Sequence, residues 1–283
     1  MPLKPLDVEQ WRKAFRRTAI IGLPNAWKTT SIFRDPDGKP DGAWPRPIHL
    51  LCFPGEQGMA SVKPEEGLNA YVWETDLVTK QNPGQIVKEI INATVEIIGK
   101  HGPDITFAGD GLHKFYGAIY AAKFKELSET YTNADEDKLR GRAFGLSHEE
   151  FLNYVHLVTS SNVRHVVMTM WSGRDKDNPD DKQSPTHVWP DLPGQLAVKI
   201  MGEFGSVLYA EPGQQITPGV FSKGTWQTRK HGKVWGAGMK CPLDVALKVP
   251  TVIPQSWANL EKLVLGNAKN VQGAAATVGA AKT

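Results

Sequence analysis

The chain has 283 residues, a net charge of +3, 40% hydrophobic and 22% charged residues; this is enough for one large α/β domain with small extensions, and the mild charge alone demands no anionic partner. Two cysteines, Cys52 and Cys241, exclude a disulfide framework, and no zinc-ligand set surrounds them. No stretch approaches the roughly 18 apolar residues of a membrane span, and no apolar run follows Met1-Pro2-Leu3-Lys4-Pro5, so a soluble cytoplasmic protein without a membrane partner is expected.

Asp7 to Arg17 reads as a short basic helix carrying Arg12, Lys13, Arg16 and Arg17. Thr18-Ala19-Ile20-Ile21 is a buried strand running into Gly22. A Pro, Gly and Asp-rich stretch, 35–47, keeps the next helix short. Ile48 to Phe53 is a second strand and Tyr71-Val72-Trp73 a third. Gln85 to Ile98 places Ile86, Val87, Ile90, Ile91, Val95 and Ile98 at helical spacing, with Gly99 as its stop. Ile105 to Gly109 is a strand ending at Asp110, followed by helices near 112–128 and 147–160 and a strand over Val163–Met170. Leu192–Met201 reads as helix and Ser206–Ala210 as strand. Thr225–Lys230 with Lys233–Met239 read as a hairpin about His231-Gly232, and Pro254–Leu265 ends in a helix. Strands alternating with helices predict an α/β fold, a mostly parallel sheet covered on both faces. The expected division is an N-terminal basic extension over 1–17, a core over 18–245, and a C-terminal helix with a Gly/Ala-rich tail over 246–283.

Gly22-Leu23-Pro24-Asn25-Ala26-Trp27-Lys28-Thr29 has the frame of a phosphate-binding loop, opened by glycine and closed by Lys-Thr. Backbone amides of such a loop cradle phosphate oxygens, so Gly22, Pro24, Asn25, Ala26, Trp27, Lys28, Thr29 and Thr30 are the expected ATP-binding residues. Lys28 would reach the β- and γ-phosphates and Thr29 would offer its hydroxyl to Mg²⁺. Trp27 stands where a second glycine is usual. Either the loop keeps a negative φ there with the indole turned away, or the site is degenerate.

Such a loop needs carboxylates at neighbouring strand ends. Asp110 fits the metal position together with Thr29, and a helix N-cap is its other reading. Glu56, in Phe53-Pro54-Gly55-Glu56, fits a group that activates water, and a surface loop glutamate is its other reading. Thr169 is placed where a polar group would sense the γ-phosphate. Phe221 to Leu243 carries Lys223, Arg229, Lys230, Lys233 and Lys240 with Trp226 and Trp235 and no acidic residue before Asp244. Three readings stay open: a single-stranded DNA platform, a hairpin that inserts Arg229 or Lys233 into a neighbouring subunit's ATP site as a catalytic finger, and a protected sheet edge.

The order of these pieces carries a resemblance. Loop, strand–Glu56 and strand–Asp110 come first. The helix Glu149–Val158, the strand Val163–Met170, Pro190-Asp191-Leu192-Pro193-Gly194-Gln195-Leu196 and a late hairpin ending in Lys240-Cys241-Pro242-Leu243 follow. Over residues 18–245 this resembles the phage-encoded AAA/RecA-like nucleotide-binding proteins, including the minimal RecA-core recombinases that promote single-strand annealing. The resemblance implies a RecA-like P-loop core and an ATPase using ATP and Mg²⁺ in phage DNA recombination or replication. It also implies a homo-oligomer acting on single-stranded DNA beside a single-strand-binding protein, in the host cytoplasm. Trp27 departs from the pattern, and so does 172–188, where Arg174, Lys176 and Lys182 are offset by four aspartates. A nucleotide-binding protein that does not hydrolyse, with a structural or assembly role, is the alternative.

Overall fold

Alternate residues of the central strands belong to different cores, as a sheet buried on both faces requires. Ala19, Ile21, Leu51, Phe107, Met168 and Val207 pack on one side, while Ile20, Leu50, Ala108, Val167 and Leu208 pack on the other. A computed structural model describes residues 8–56, 70–74, 82–174, 188–213, 215–217, 220–230, 237–241 and 243–266. Its strands are β1 (Arg17–Gly22), β2 (Ile48–Cys52), β3 (Ala70–Glu74), β4 (Thr106–Asp110), β5 (His165–Arg174), β6 (Val188–Pro190), β7 (Ser206–Glu211), β8 (Gln215–Thr217), β9 (Val220–Phe221), β10 (Thr225–Gln227), β11 (Gly238–Met239) and β12 (Val252–Pro254). The helices are α1 (Val8–Phe15), α2 (Thr30–Phe33), α3 (Pro83–His101), α4 (Leu112–Thr130), α5 (Glu136–Ser160), α6 (Leu196–Glu203) and α7 (Leu243–Lys248), with α8 over 257–266.

The main sheet runs β12-β10-β7-β1-β5-β4-β2-β3. From β7 to β3 every pairing is parallel, while β10, β11 and β12 add antiparallel strands beside β7. This is the mostly parallel, two-faced α/β sheet the sequence predicts. Helices α3 to α6 cover the first face. The second is covered by Phe15 of α1, Phe33 of α2, Val245 of α7 and Trp257, Leu260 and Val264 of α8, around a cluster of Trp44, Trp226 and Trp257.

Two expectations need correction, and one segment is more closely integrated than its charge suggests. The second long helix begins at Glu136, not near 147, because Asp135 caps it by accepting from the amides of Asp137 and Lys138; its first turns are too polar and exposed to show an apolar period. The hairpin over 225–239 takes another form. Strands β10 and β11 both pair with β7, not with each other, and the antiparallel ribbon in this part of the chain is β8 with β9. The basic N-terminal segment is built into the structure. Arg17 is buried, and its guanidinium donates to the carbonyls of Thr159 and Ser161, both at 2.9 Å, at the end of α5, while Arg16 pairs with Glu261 at 3.1 Å. Among the described residues no helix is long and apolar enough to cross a membrane.

Candidate active site

Because the central strands are parallel, their C-terminal ends line one edge, and the polar residues read from the sequence fall there. Gly22 closes β1 opposite Trp171 of β5, and Asp110 closes β4 opposite Cys52 of β2. One strand, β5, separates β1 from β4. Asp110 is therefore not on the strand adjacent to the loop, and it reaches the loop across β5.

The loop leaves β1 at Gly22, where a Cβ would stand 2.7 Å from the carbonyl oxygen of Ala210. Pro24, Asn25 and Trp27 are exposed, Ala26 and Lys28 are buried, and Thr29 precedes Thr30, the first residue of α2. α2 has four residues only. Asn25 and Trp27 both have positive φ, 63° and 56°. Trp27 thus holds the left-handed conformation that glycine adopts freely, at a cost of about 1–2 kcal/mol. Of the two alternatives the sequence leaves open, the one with negative φ does not occur. The indole is accommodated by glycines: Cβ atoms at Gly213 and Gly224 would lie 2.8 and 2.9 Å from its ring atoms. Buried Gln255 holds the loop from the same side, its Nε2 donating to the carbonyls of Ala26 at 3.2 Å and Glu211 at 3.1 Å.

Lys28 is 7% exposed. Its ammonium donates to the carbonyls of Gly22 at 3.0 Å and Leu23 at 2.7 Å. Burial lowers its pKa to about 8, against the opposing pull of Asp110 and Glu56. Thr29 Oγ1 donates to Asp110 Oδ1 at 2.8 Å, and Thr169 Oγ1 donates to the same oxygen at 2.5 Å. Thr169 in turn accepts from the Gly111 amide at 3.0 Å, so it braces Asp110. The other carboxylate oxygen of Asp110, Oδ2, is buried with no partner among the described residues.

Glu56 is delivered by a turn that its sequence dictates. Its amide donates to the Phe53 carbonyl at 3.1 Å, with Pro54 and Gly55 at the centre and Gly55 at φ 84°, as a type II turn requires. The Phe53 amide donates to the Asp110 carbonyl at 3.0 Å, tying the turn to β4. Gly111, also at φ 84°, leaves the space that Glu56 fills: a Cβ there would stand 2.1 Å from Glu56 Cγ. Burial first, and Asp110 second, raise the Glu56 pKa above the ordinary carboxylate value.

The structure therefore brings together Lys28, Thr29, Asp110 and Glu56. It does not bring Arg229 to them. Arg229 donates to the carbonyls of Ala246, at 3.2 Å, and Val249, at the end of α7. Trp226 is fully buried against Trp44, so it offers no face to a base. Lys223 pairs with Asp37 at 2.5 Å, and Lys240 donates to the Gly202 carbonyl. Lys233, Trp235 and most of 172–188 lie outside the described residues. Sequence reasoning missed His113 and Lys114, whose positions in the first turn of α4 carry no signal of their own. His113 Nε2 stands 3.8 Å from Glu56 Oε1, and the Lys114 ammonium lies 4.3 Å from the centre of the Trp171 ring.

A parallel sheet of this order, with a Lys-Thr loop on β1 and an acidic strand end reaching its threonine, defines a RecA-like P-loop ATPase fold. The chain belongs to the AAA domain family, whose model matches residues 14–234. No curated protein matches it. Among solved structures, the assembled ATPase EscN of the enteropathogenic E. coli type III secretion system is similar, with 10% identity over 69% of this chain and a TM-score of 0.42. The chain spans 43% of that protein's length.

Proposed function

We propose that the loop Gly22–Thr30 binds ATP with Mg²⁺ and that the protein hydrolyses it, with Glu56 as the base that orients and deprotonates water. The observation that carries this reading is the Thr29–Asp110 pair, 2.8 Å apart, with a buried, unpartnered Asp110 oxygen and the buried Lys28 ammonium in the adjoining loop. These groups fit the ligand. Among the described residues no backbone carbonyl accepts from the amides of Asn25, Trp27, Lys28 or Thr29, which leaves them to phosphate oxygens. Mg²⁺ would be held here by Thr29, Asp110 and the nucleotide's own phosphates. Mg²⁺, when bound, supplies positive charge against the phosphate oxygens. Lys28 adds a second charge in a site where desolvation strengthens it. Glu56 has a raised pKa from burial and lies against the Asp110–Gly111 backbone, which suits a proton acceptor.

The finer reading is an ATPase of phage DNA recombination or replication, acting as a homo-oligomer on single-stranded DNA with a single-strand-binding protein. It rests on the order of motifs over 18–245. The basic segment lends it less than its composition suggests, since Arg229, Lys223 and Lys240 all have partners within the chain. A nucleotide-holding protein that does not hydrolyse is the second reading, favoured by the strained φ of Trp27. One experiment separates them: titrate ATP with and without Mg²⁺, then measure phosphate release with and without a single-stranded oligonucleotide. Release stimulated by the oligonucleotide supports the DNA reading, unstimulated release leaves an ATPase acting on another target, and tight binding without release supports the second reading.

A further inference from the structure

Two buried polar atoms face each other beside the loop without a hydrogen bond. Glu56 Oε1 and His113 Nε2 each lack a partner among the described residues, and they stand 3.8 Å apart. An approach of about 1 Å would bring them within hydrogen-bonding range. The other ring nitrogen is engaged: the Trp171 amide donates to His113 Nδ1 at 3.3 Å. A nitrogen that accepts carries no proton, so the neutral imidazole must carry its proton on Nε2, the atom facing Glu56. The ring is held there by packing. It lies 4.9 Å from the Trp171 ring, tilted by 33°, and is buried in the first turn of α4.

We propose that His113 is a positioning residue for Glu56, its Nε2–H holding Oε1 so that the second carboxylate oxygen faces the reacting water. This rests on the reading of Glu56 as the base. No proton leaves the imidazole in this role. The tautomer is fixed by the backbone of Trp171, which pairs with Gly22 at the start of the phosphate loop. The part of β5 beside the loop therefore sets the direction of the carboxylate two strands away. Burial, with Lys114 and Lys28 nearby, lowers the His113 pKa to about 4, so the ring stays a neutral donor at neutral pH. Lys114 and Lys28 also face Glu56 from α4 and the loop, and Asp110 faces it from β4.

The test uses the full chain with three substitutions. His113→Phe keeps a ring against Trp171 and donates nothing. His113→Gln places an amide N–H near the position of Nε2. Glu56→Gln removes the base. We expect His113→Phe to lower kcat at least about tenfold, the scale of a small misplacement of a reacting group, with KM for ATP within about twofold. His113→Gln should recover most of that loss. In the Glu56→Gln background His113→Phe should cost less than about twofold more, because the two act as one unit. Side-chain ¹⁵N NMR of the wild-type protein should show the proton on Nε2. Equal losses in the Phe and Gln variants, a proton on Nδ1, or an undiminished effect in the Glu56→Gln background would each overturn the proposal. If Glu56→Gln turns over as wild type, the reading of Glu56 falls and takes this role with it. If Glu56→Gln is slow and His113→Phe is not, only the positioning role of His113 falls.

Discussion

Replacing Lys28 by Met should remove both the protein's response to ATP and a gain of stability that the wild type shows above about pH 8. Burial lowers the Lys28 pKa from its ordinary 10.5 to about 8. At about 1.4 kcal/mol per pH unit, keeping that ammonium charged in the fold costs roughly 3 kcal/mol. Methionine has similar length and no charge. Against this gain, the Gly22 and Leu23 carbonyls lose a charged donor, at about 1.5–3 kcal/mol each. The lost hydrogen bonds offset the relieved charge at neutral pH, and pH separates the two effects. The sign can be checked by pH. Below about 8 Lys28 is protonated in both folded and unfolded chains and the full cost applies. Between about 8 and 10.5 the unfolded chain binds more protons, so the wild type gains stability relative to Lys28→Met as pH rises. Differential scanning calorimetry across that range reads both effects. ATP at a hundredfold excess over its Kd should stabilise the wild type by about 2.7 kcal/mol, and Lys28→Met hardly at all. A wild type that gains no stability relative to Lys28→Met between about pH 8 and 10.5, or a variant that keeps the ATP-dependent rise in Tm, would refute the reasoning.

Asp110→Asn should weaken Mg²⁺-dependent ATP binding at least about tenfold. Glu56→Gln should leave binding within about twofold and lower kcat by at least about a hundredfold, as isothermal titration and phosphate release would show. Trp27→Gly and Trp27→Ala should differ. Glycine relieves about 1–2 kcal/mol of left-handed strain and so offsets the lost indole packing, giving a net change under about 1 kcal/mol. Alanine keeps the strain and should cost about 1–3 kcal/mol in urea unfolding. Arg229→Ala should lower stability by about 1–3 kcal/mol, because the carbonyls at the end of α7 lose a charged donor. It should leave turnover independent of protein concentration to the same degree as in the wild type; a selective loss of concentration-dependent turnover would restore the finger reading.

The parts of the site that were legible lie where one local pattern decides the outcome. An apolar strand ending in Gly22, Asp110 or Pro54-Gly55-Glu56 fixes both the strand and the side chain that leaves it. What the chain hides is decided by distant partners. His113 gains its role only from contact with Trp171 of β5 and with Glu56 of the turn after β2. Trp226 and the basic residues around it look like a nucleic-acid platform in composition, yet Trp44 and Trp257 lie far away in sequence and close the core over Trp226. The apparent hairpin fails because β7 offers a longer partner to both of its arms. At Trp27 the residue type argued for negative φ, but Gly213 and Gly224, nearly 200 residues downstream, leave room for the indole and let the loop hold the conformation of a glycine.

The central claim is that the loop on β1 binds Mg²⁺–ATP for hydrolysis. Phosphate release by the purified wild-type chain, measured beside Lys28→Ala with Mg²⁺ and with EDTA, tests it most directly. The account predicts release that requires Mg²⁺ and disappears in Lys28→Ala. Tight ATP binding without any release by the wild type, or equal release by both proteins, would contradict it.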